Sequence, residues 1–185
     1  MPISSAEKDE EFVKHVASVQ AIPGAKEFVR KCQKEGLVQI VTNSNKIAAL
    51  SLLKHLDLDD VPIITAQDVC NGKPNAEPYV KAARDLGVSP ENCVVFEDSR
   101  GGLISGRAAL CKYVIGVANI SLVGCDAFLS DFVDVEPVEL LQNLASVCHL
   151  SDELSEELGQ AAKVYVQGLS LNTSESTLKT MVFGQ

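Results

Sequence analysis

The run Cys93-Val94-Val95-Phe96-Glu97-Asp98-Ser99-Arg100-Gly101-Gly102 constrains the fold more than any other stretch, because its apolar residues stop abruptly at two adjacent carboxylates and a glycine pair. A continuous apolar run of strand length requires burial on both faces, as in a parallel sheet covered by helices. The carboxyl end of such a strand is where open α/β sheets bind their ligands. Paired acids there suit a hard cation such as Mg²⁺, which takes one or two carboxylates, retained water and substrate phosphate. The same residues also read as a strand followed by a helix capped by Asp98 or Ser99, with no metal.

The rest of the chain supports an α/β alternation. Phe12, Val13, Val16 and Val19 recur at roughly helical spacing behind an acidic start, and Pro23-Gly24 punctuates the chain. A helix is expected from Ala25 to Glu35, ended by Gly36, then a strand at Leu37–Val41 with the polar exit Thr42-Asn43-Ser44-Asn45. A helix carrying Ile47, Leu50, Leu53 and Leu56 follows. Val61-Pro62-Ile63-Ile64 can be a strand only near an edge, since Pro62 has no donor. The turn-rich segment Asp68–Tyr79 leads into a helix from about Pro78 to Leu86. After the Cys93–Phe96 strand, a helix is expected from about Leu103 to Leu110 and a strand at Tyr113–Val117. Asp131-Phe132-Val133 and a helix from Pro137 to about Val147 complete a domain spanning 23–150. Residues 151–185 begin acidic and form an extension of uncertain structure.

The 185 residues, 46% of them hydrophobic, suffice for one domain with a real core. A net charge of −9 opposes a broad nucleic-acid-binding face, though a phosphate pocket needs only one or two local cations. Six scattered cysteines lack the close spacing of zinc sites and read as reduced thiols in a cytoplasmic setting. No run reaches membrane-spanning length, and the first ten residues lack the apolar core of a secretory signal.

Three polar clusters fall at the ends of strands or in strand-following loops: Thr42 with Asn43, Lys73 within Gly72-Lys73-Pro74, and Glu97-Asp98. A hydroxyl and backbone N–H groups can hold phosphate oxygens, a lysine can neutralise charge, and an acid can hold Mg²⁺. Each has a plainer reading. Thr42 or Ser44 could cap a helix, and Lys73 could be a surface turn lysine. In order and wording, however, Ile22-Pro23-Gly24-Ala25-Lys26-Glu27-Phe28, Ile40-Val41-Thr42-Asn43-Ser44, Gly72-Lys73-Pro74 with Glu77-Pro78-Tyr79, and Val95-Phe96-Glu97-Asp98-Ser99 with Gly102 and Ala108-Ala109 resemble the haloacid dehalogenase-like (HAD) hydrolase superfamily. The likeness is to the β-phosphoglucomutase and phosphatase subgroup and covers about residues 8–147. It implies a three-layer, Rossmann-like core around a parallel sheet and Mg²⁺-dependent phosphoryl transfer from a small phosphorylated metabolite, such as a sugar phosphate. By that resemblance Thr42 and Asn43 contact phosphate, and Lys73 links phosphate and nucleophile. Asp98 is then the principal Mg²⁺ ligand and Glu97 a direct or water-mediated one.

The family's first motif, a strand ending in Asp-x-Asp that supplies the nucleophile, has no counterpart before Pro23. Asp9, Glu10 and Glu11 lie in a charged helical start with no strand ahead of it. Residues 1–22 therefore read as the remnant of a cap helix, and the core as lacking its first strand and most of its cap. An enzyme without its nucleophile is impaired or inactive alone. The alternative is a non-catalytic pseudoenzyme or a binding or regulatory remnant.

The resemblance also puts the absent strand mid-sheet, between those ending at Thr42 and Phe96. That position must be closed by direct pairing of its neighbours, by another chain through self-association, or by a strand from elsewhere in this one. Lys163–Leu169 is a candidate, with Gln167 near the expected nucleophile position. The same segment, with Asn172–Lys179, is similar to the opening of an RNA-recognition motif, in which Tyr165 would stack on a base. An RNA-binding adaptor is thus a distant third reading.

Overall fold

The structure, a computed structural model, describes residues 16, 19–35, 37–119, 121–146 and 180–184. Its elements in chain order are α1 (Ala25–Glu35), β1 (Leu37–Val41), α2 (Lys46–His55), β2 (Ile63–Ile64), α3 (Glu77–Asp85), β3 (Cys93–Glu97), α4 (Arg100–Ala108), β4 (Tyr113–Val117), β5 (Ala127–Leu129), α5 (137–146) and β6 (Thr180–Gly184). All strands run parallel in one sheet of order β2-β1-β6-β3-β4-β5.

Period-two alternation in the central strands builds two cores. Val38 and Ile40 of β1, Val94 and Phe96 of β3, and Tyr113, Ile115 and Val117 of β4 pack with α1, α2 and α5. Val41, Val95 and Val114 face the other way, against Tyr79, Ala82 and Ala83 of α3 and Leu103 of α4. Every residue of β3 and β4 is buried, as the continuous apolar runs require. The result is three layers, helices on both faces of a parallel sheet.

Phe28 of α1 ties this arrangement together. Its ring stacks on Phe132 at 4.8 Å and meets Phe96 edge-on at 5.3 Å. The turn before α1 is drawn to the same place, because the Phe132 N–H donates to the Pro23 carbonyl at 2.9 Å. Gly24 there has φ +74°, and a Cβ would lie 2.5 Å from the Phe132 backbone. Only glycine fits.

Several expectations change. The segment that closes the mid-sheet position is β6, Thr180–Gly184, paired with β1 from Leu37↔Thr180 to Val41↔Gly184 and with β3 from Cys93↔Thr180 to Phe96↔Phe183. It takes the position expected for Lys163–Leu169; those residues, with Gln167, Tyr165 and Asn172–Lys179, lie outside the described residues, as do Asp9, Glu10 and Glu11. The extension assigned to 151–185 therefore contributes a strand to the core. Helix α4 begins at Arg100 and not Leu103, because the Ser99 side chain accepts the Gly102 N–H at 3.0 Å and caps it earlier. The sheet gains a further strand, Ala127–Leu129, not expected from the sequence, and Phe132 packs as a core residue. Among the described residues no helix is long and apolar enough to cross a membrane.

Burial pushes the thiol of Cys93 up to about 11 and that of Cys111 up to about 12, whereas Cys70 is exposed. Two outcomes are expected. At pH 8, iodoacetamide followed by peptide mass spectrometry should label Cys70 and spare Cys93 and Cys111 until the protein unfolds. Phe28→Ala should lower unfolding stability by about 3–5 kcal/mol in urea titrations, the usual effect of emptying an aromatic core site.

Candidate active site

The exits of β1 and β3 lie on either side of the carboxyl end of β6, at the point where the strand order reverses direction from β1–β2 to β3–β4–β5. The exit of β1 is polar but tightly formed. The Thr42 N–H donates to the Ile64 carbonyl at 2.9 Å, and its hydroxyl accepts the Ser44 N–H at 3.0 Å. Neither Thr42 nor Ser44 caps α2. That role falls to Asn45, which accepts the Ala48 N–H at 2.9 Å.

Asn43 pins the loop that carries Lys73. Its Oδ1 accepts the Lys73 N–H at 2.9 Å, and its Nδ2 donates to the Lys73 carbonyl at 3.0 Å. Two bonds to one residue's backbone fix where that lysine enters the site. Far from being a surface turn residue, Lys73 has a side chain only 3% exposed. Its Nζ donates to the Val41 carbonyl at 2.9 Å and to Glu97 Oε1 at 2.6 Å. Burial lowers the affinity of Lys73 for its proton, and the neighbouring Glu97 charge opposes that effect.

The two acids of β3 part ways. Glu97 follows Cys93 and Val95 onto the α3–α4 face and is fully buried. Where the resemblance makes it a direct or water-mediated metal ligand, the structure commits both its oxygens to the chain's own donors. Oε1 accepts Lys73 Nζ and the Tyr79 hydroxyl, and Oε2 accepts the Ser99 hydroxyl at 3.1 Å. The Tyr79 ring also lies 5.4 Å from Lys73 Nζ, within cation–π reach. Burial and the Glu97 charge hold the Tyr79 phenol well above its ordinary range, so it remains a donor. Gly102 is obligatory beside this carboxylate, because a Cβ there would overlap the Glu97 carboxyl group.

Asp98, one residue on, is exposed, and its backbone carbonyl accepts the Asn119 side chain at 3.1 Å. It borders a cavity of about 260 Å³ whose walls include Ile40, Phe96, Val117 and Phe132. Among the described residues no group of three or more His, Cys, Asp or Glu side chains converges. The donor chemistry still suits Mg²⁺ held by Asp98 with water and a substrate phosphate, since that ion uses few protein ligands.

Glu97 and Asp98 thus stand at the end of β3 as a buried acid and an open one, with Thr42 and Asn43 at the exit of β1 and Lys73, held by Asn43, bridging the two exits. A profile of the haloacid dehalogenase-like hydrolases matches residues 4–109. The chain belongs to this family. Among relatives of the HAD-like chain, hexitol phosphatase A of Escherichia coli is 37% identical over 98 residues, covering 52% of this chain and 45% of the relative. The phosphorylated carbohydrates phosphatase of Thermotoga maritima is 34% identical over 146 residues, covering 76% of this chain and 66% of the relative. A hydrolase structure from Pseudomonas syringae superposes with a TM-score of 0.66 at 25% identity, covering 77% of this chain and 68% of that one. The β-phosphoglucomutase structure from Clostridium difficile gives a TM-score of 0.66 at 21% identity, covering 77% and 66%, a likeness of fold. The HAD-like chain spans about half the length of the curated relatives it matches in Bacillus subtilis, Escherichia coli and Rhodobacter capsulatus (50%, 45% and 51%).

The motif residues of the HAD-like chain were legible in sequence, but Tyr79 and Ser99 as partners of Glu97 were not. Gly102 was the available signal, a glycine five residues after an acid on a strand that must be buried. Lys73→Met should lower stability by about 3–5 kcal/mol by leaving Glu97 unpaired, and Lys73→Met with Glu97→Gln should recover part of that loss. Paired urea titrations of the single and double variants measure the difference.

Proposed function

We propose that this HAD-like chain holds a small phosphorylated metabolite, of the sugar-phosphate kind, with Mg²⁺, in a phosphohydrolase site that turns over weakly or not at all alone. The observation that carries this reading is the occupant of the mid-sheet position. β6, Thr-Met-Val-Phe-Gly, runs between the phosphate-binding exits and contains no acid. A phosphoryl-transfer mechanism of this family's kind needs a carboxylate there to attack phosphorus.

In this reading Thr42 and Asn43 contact the phosphate and Lys73 supplies the cation facing it. Asp98 would hold the Mg²⁺, which would neutralise phosphate charge there. Glu97 acts behind them, keeping the lysine in place. The free thiols of Cys70, Cys93, Cys111 and Cys125 support a reducing, cytoplasmic setting. A wholly non-catalytic binding or regulatory domain is the second reading, favoured by the same acid-free strand. A net charge of −9 disfavours the RNA adaptor.

Phosphate release from a panel of sugar phosphates, measured with and without Mg²⁺ for the chain and for Asp98→Asn, should stay at background for both proteins. Turnover abolished by Asp98→Asn would overturn the impaired-enzyme reading. In thermal unfolding, phosphate with Mg²⁺ should raise Tm by a few degrees in the unmodified chain and not in Asp98→Asn. Equal Tm values with and without these ligands would overturn the binding site itself.

A further inference from the structure

The ladder between β3 and β4 ends at Glu97↔Gly116, so Asp98 lies beyond its last pair. A side chain meets the Asp98 carbonyl there in place of the ladder, since Asn119 Nδ2 donates to it at 3.1 Å. Among the described residues the Asp98 carboxylate takes part in no hydrogen bond or ion pair. Its place at the crevice is therefore set by its backbone. Before it, Glu97 is locked by Lys73, Tyr79 and Ser99; after it, Ser99 caps α4. Asn119 is the contact made to Asp98 itself.

Although exposed, Asn119 is held at each of its polar atoms. The chain turns tightly at the end of β4, where the Asn119 N–H donates to the Val117 carbonyl at 2.7 Å and Ala118 has φ +56°, a left-handed conformation uncommon for a residue with a Cβ. The Ala118 N–H donates to the Leu129 carbonyl of β5 at 2.9 Å, Asn119 Oδ1 accepts the Ser121 N–H at 3.1 Å, and the Asn119 carbonyl accepts the Leu122 N–H at 3.1 Å. Strain of this kind persists only where the surrounding bonds over-determine it. An amide suits the position, because one end is taken by the turn and the other carries the donor that Asp98 needs.

We propose that Asn119 is a positioning residue for Asp98, fixing the exit of β3 so that its carboxylate is presented to Mg²⁺; this rests on the Mg²⁺ reading of Asp98. A ligand ordered before the ion arrives spares binding the cost of ordering it, and the groups behind metal ligands govern affinity for that reason.

Mn²⁺ binding to the full chain, read from the loss of the free-ion EPR signal and reversed by Mg²⁺, tests the role. Asn119→Ala should weaken Mn²⁺ about tenfold, the lower end of the range for losing such support, with Tm in metal-free buffer nearly unchanged. Asn119→Ser, whose hydroxyl can still accept the Ser121 N–H but is too short to reach Asp98, should weaken it as much. Arg107 bonds Gly124 and Asp126 at the amino end of β5, the other end of the sheet, so Arg107→Gln loosens the same connection and should leave Mn²⁺ affinity as it was. Equal affinity in the unmodified chain and both Asn119 variants, or an equal loss in the Asn119 variants and Arg107→Gln, would overturn the positioning role and leave the Mg²⁺ site standing. Mn²⁺ held no more tightly by the unmodified chain than by Asp98→Asn would overturn the Mg²⁺ site, and the positioning role with it.

Discussion

One ammonium group organises the functional end of this molecule. Lys73 Nζ is bonded at once to the last carbonyl of β1 and to the last carboxylate of β3, across the strand that separates them. A buried cation is tolerated only where charge and hydrogen bonds replace the water it has lost. Glu97 provides the charge, Val41 the carbonyl, and the Tyr79 ring a face of negative potential. Those requirements propagate outward. Asn43 must hold the lysine's backbone, Ser99 must satisfy the remaining oxygen of Glu97 while capping α4, and residue 102 must be glycine.

The arrangement explains why two adjacent acids serve different ends. On a strand, neighbouring side chains alternate between faces, and at its last residue the next side chain leaves the sheet altogether. Glu97 is therefore turned into the α3–α4 layer, where its charge is consumed by the fold. Asp98 stands at the strand's exit, open to the crevice. A buried, fully bonded carboxylate beside an exposed one gives the site a fixed frame and one group free to meet a ligand.

How much of this could be read from the sequence depended on whether a signal was local. α1, β1 and β4 have the expected bounds because their patterns are long and regular, and Pro62 marked β2 as an edge strand. β5 was missed because three residues at a sheet edge carry almost no periodicity. Lys163–Leu169 reads as a strand in the sequence, yet the mid-sheet position is filled by Thr180–Gly184, whose short run gives little local signal. The residue types brought together at the strand exits were visible in the motifs. The burial of Lys73, which separates a structural cation from a surface one, depends on residues far apart in the chain and has no local pattern.

The mid-sheet strand and the lysine bridge also divide the labour between folding and binding. Contacts between β6 and its neighbours link residues more than eighty positions apart, so that part of the sheet carries a large loop-closure entropy and is expected to form late. The bridge joins positions 41, 73 and 97, much closer in sequence, and its aromatic and glycine supports lie on the same segment. Thr42, Asn43, Lys73 and Asp98 can thus be assembled by the shorter-range half of the fold before the central strand arrives. A frame organised in this way does not depend on the identity of that strand, whereas a carboxylate at the strand's carboxyl end would. Under the proposed function, this is what would make binding separable from chemistry.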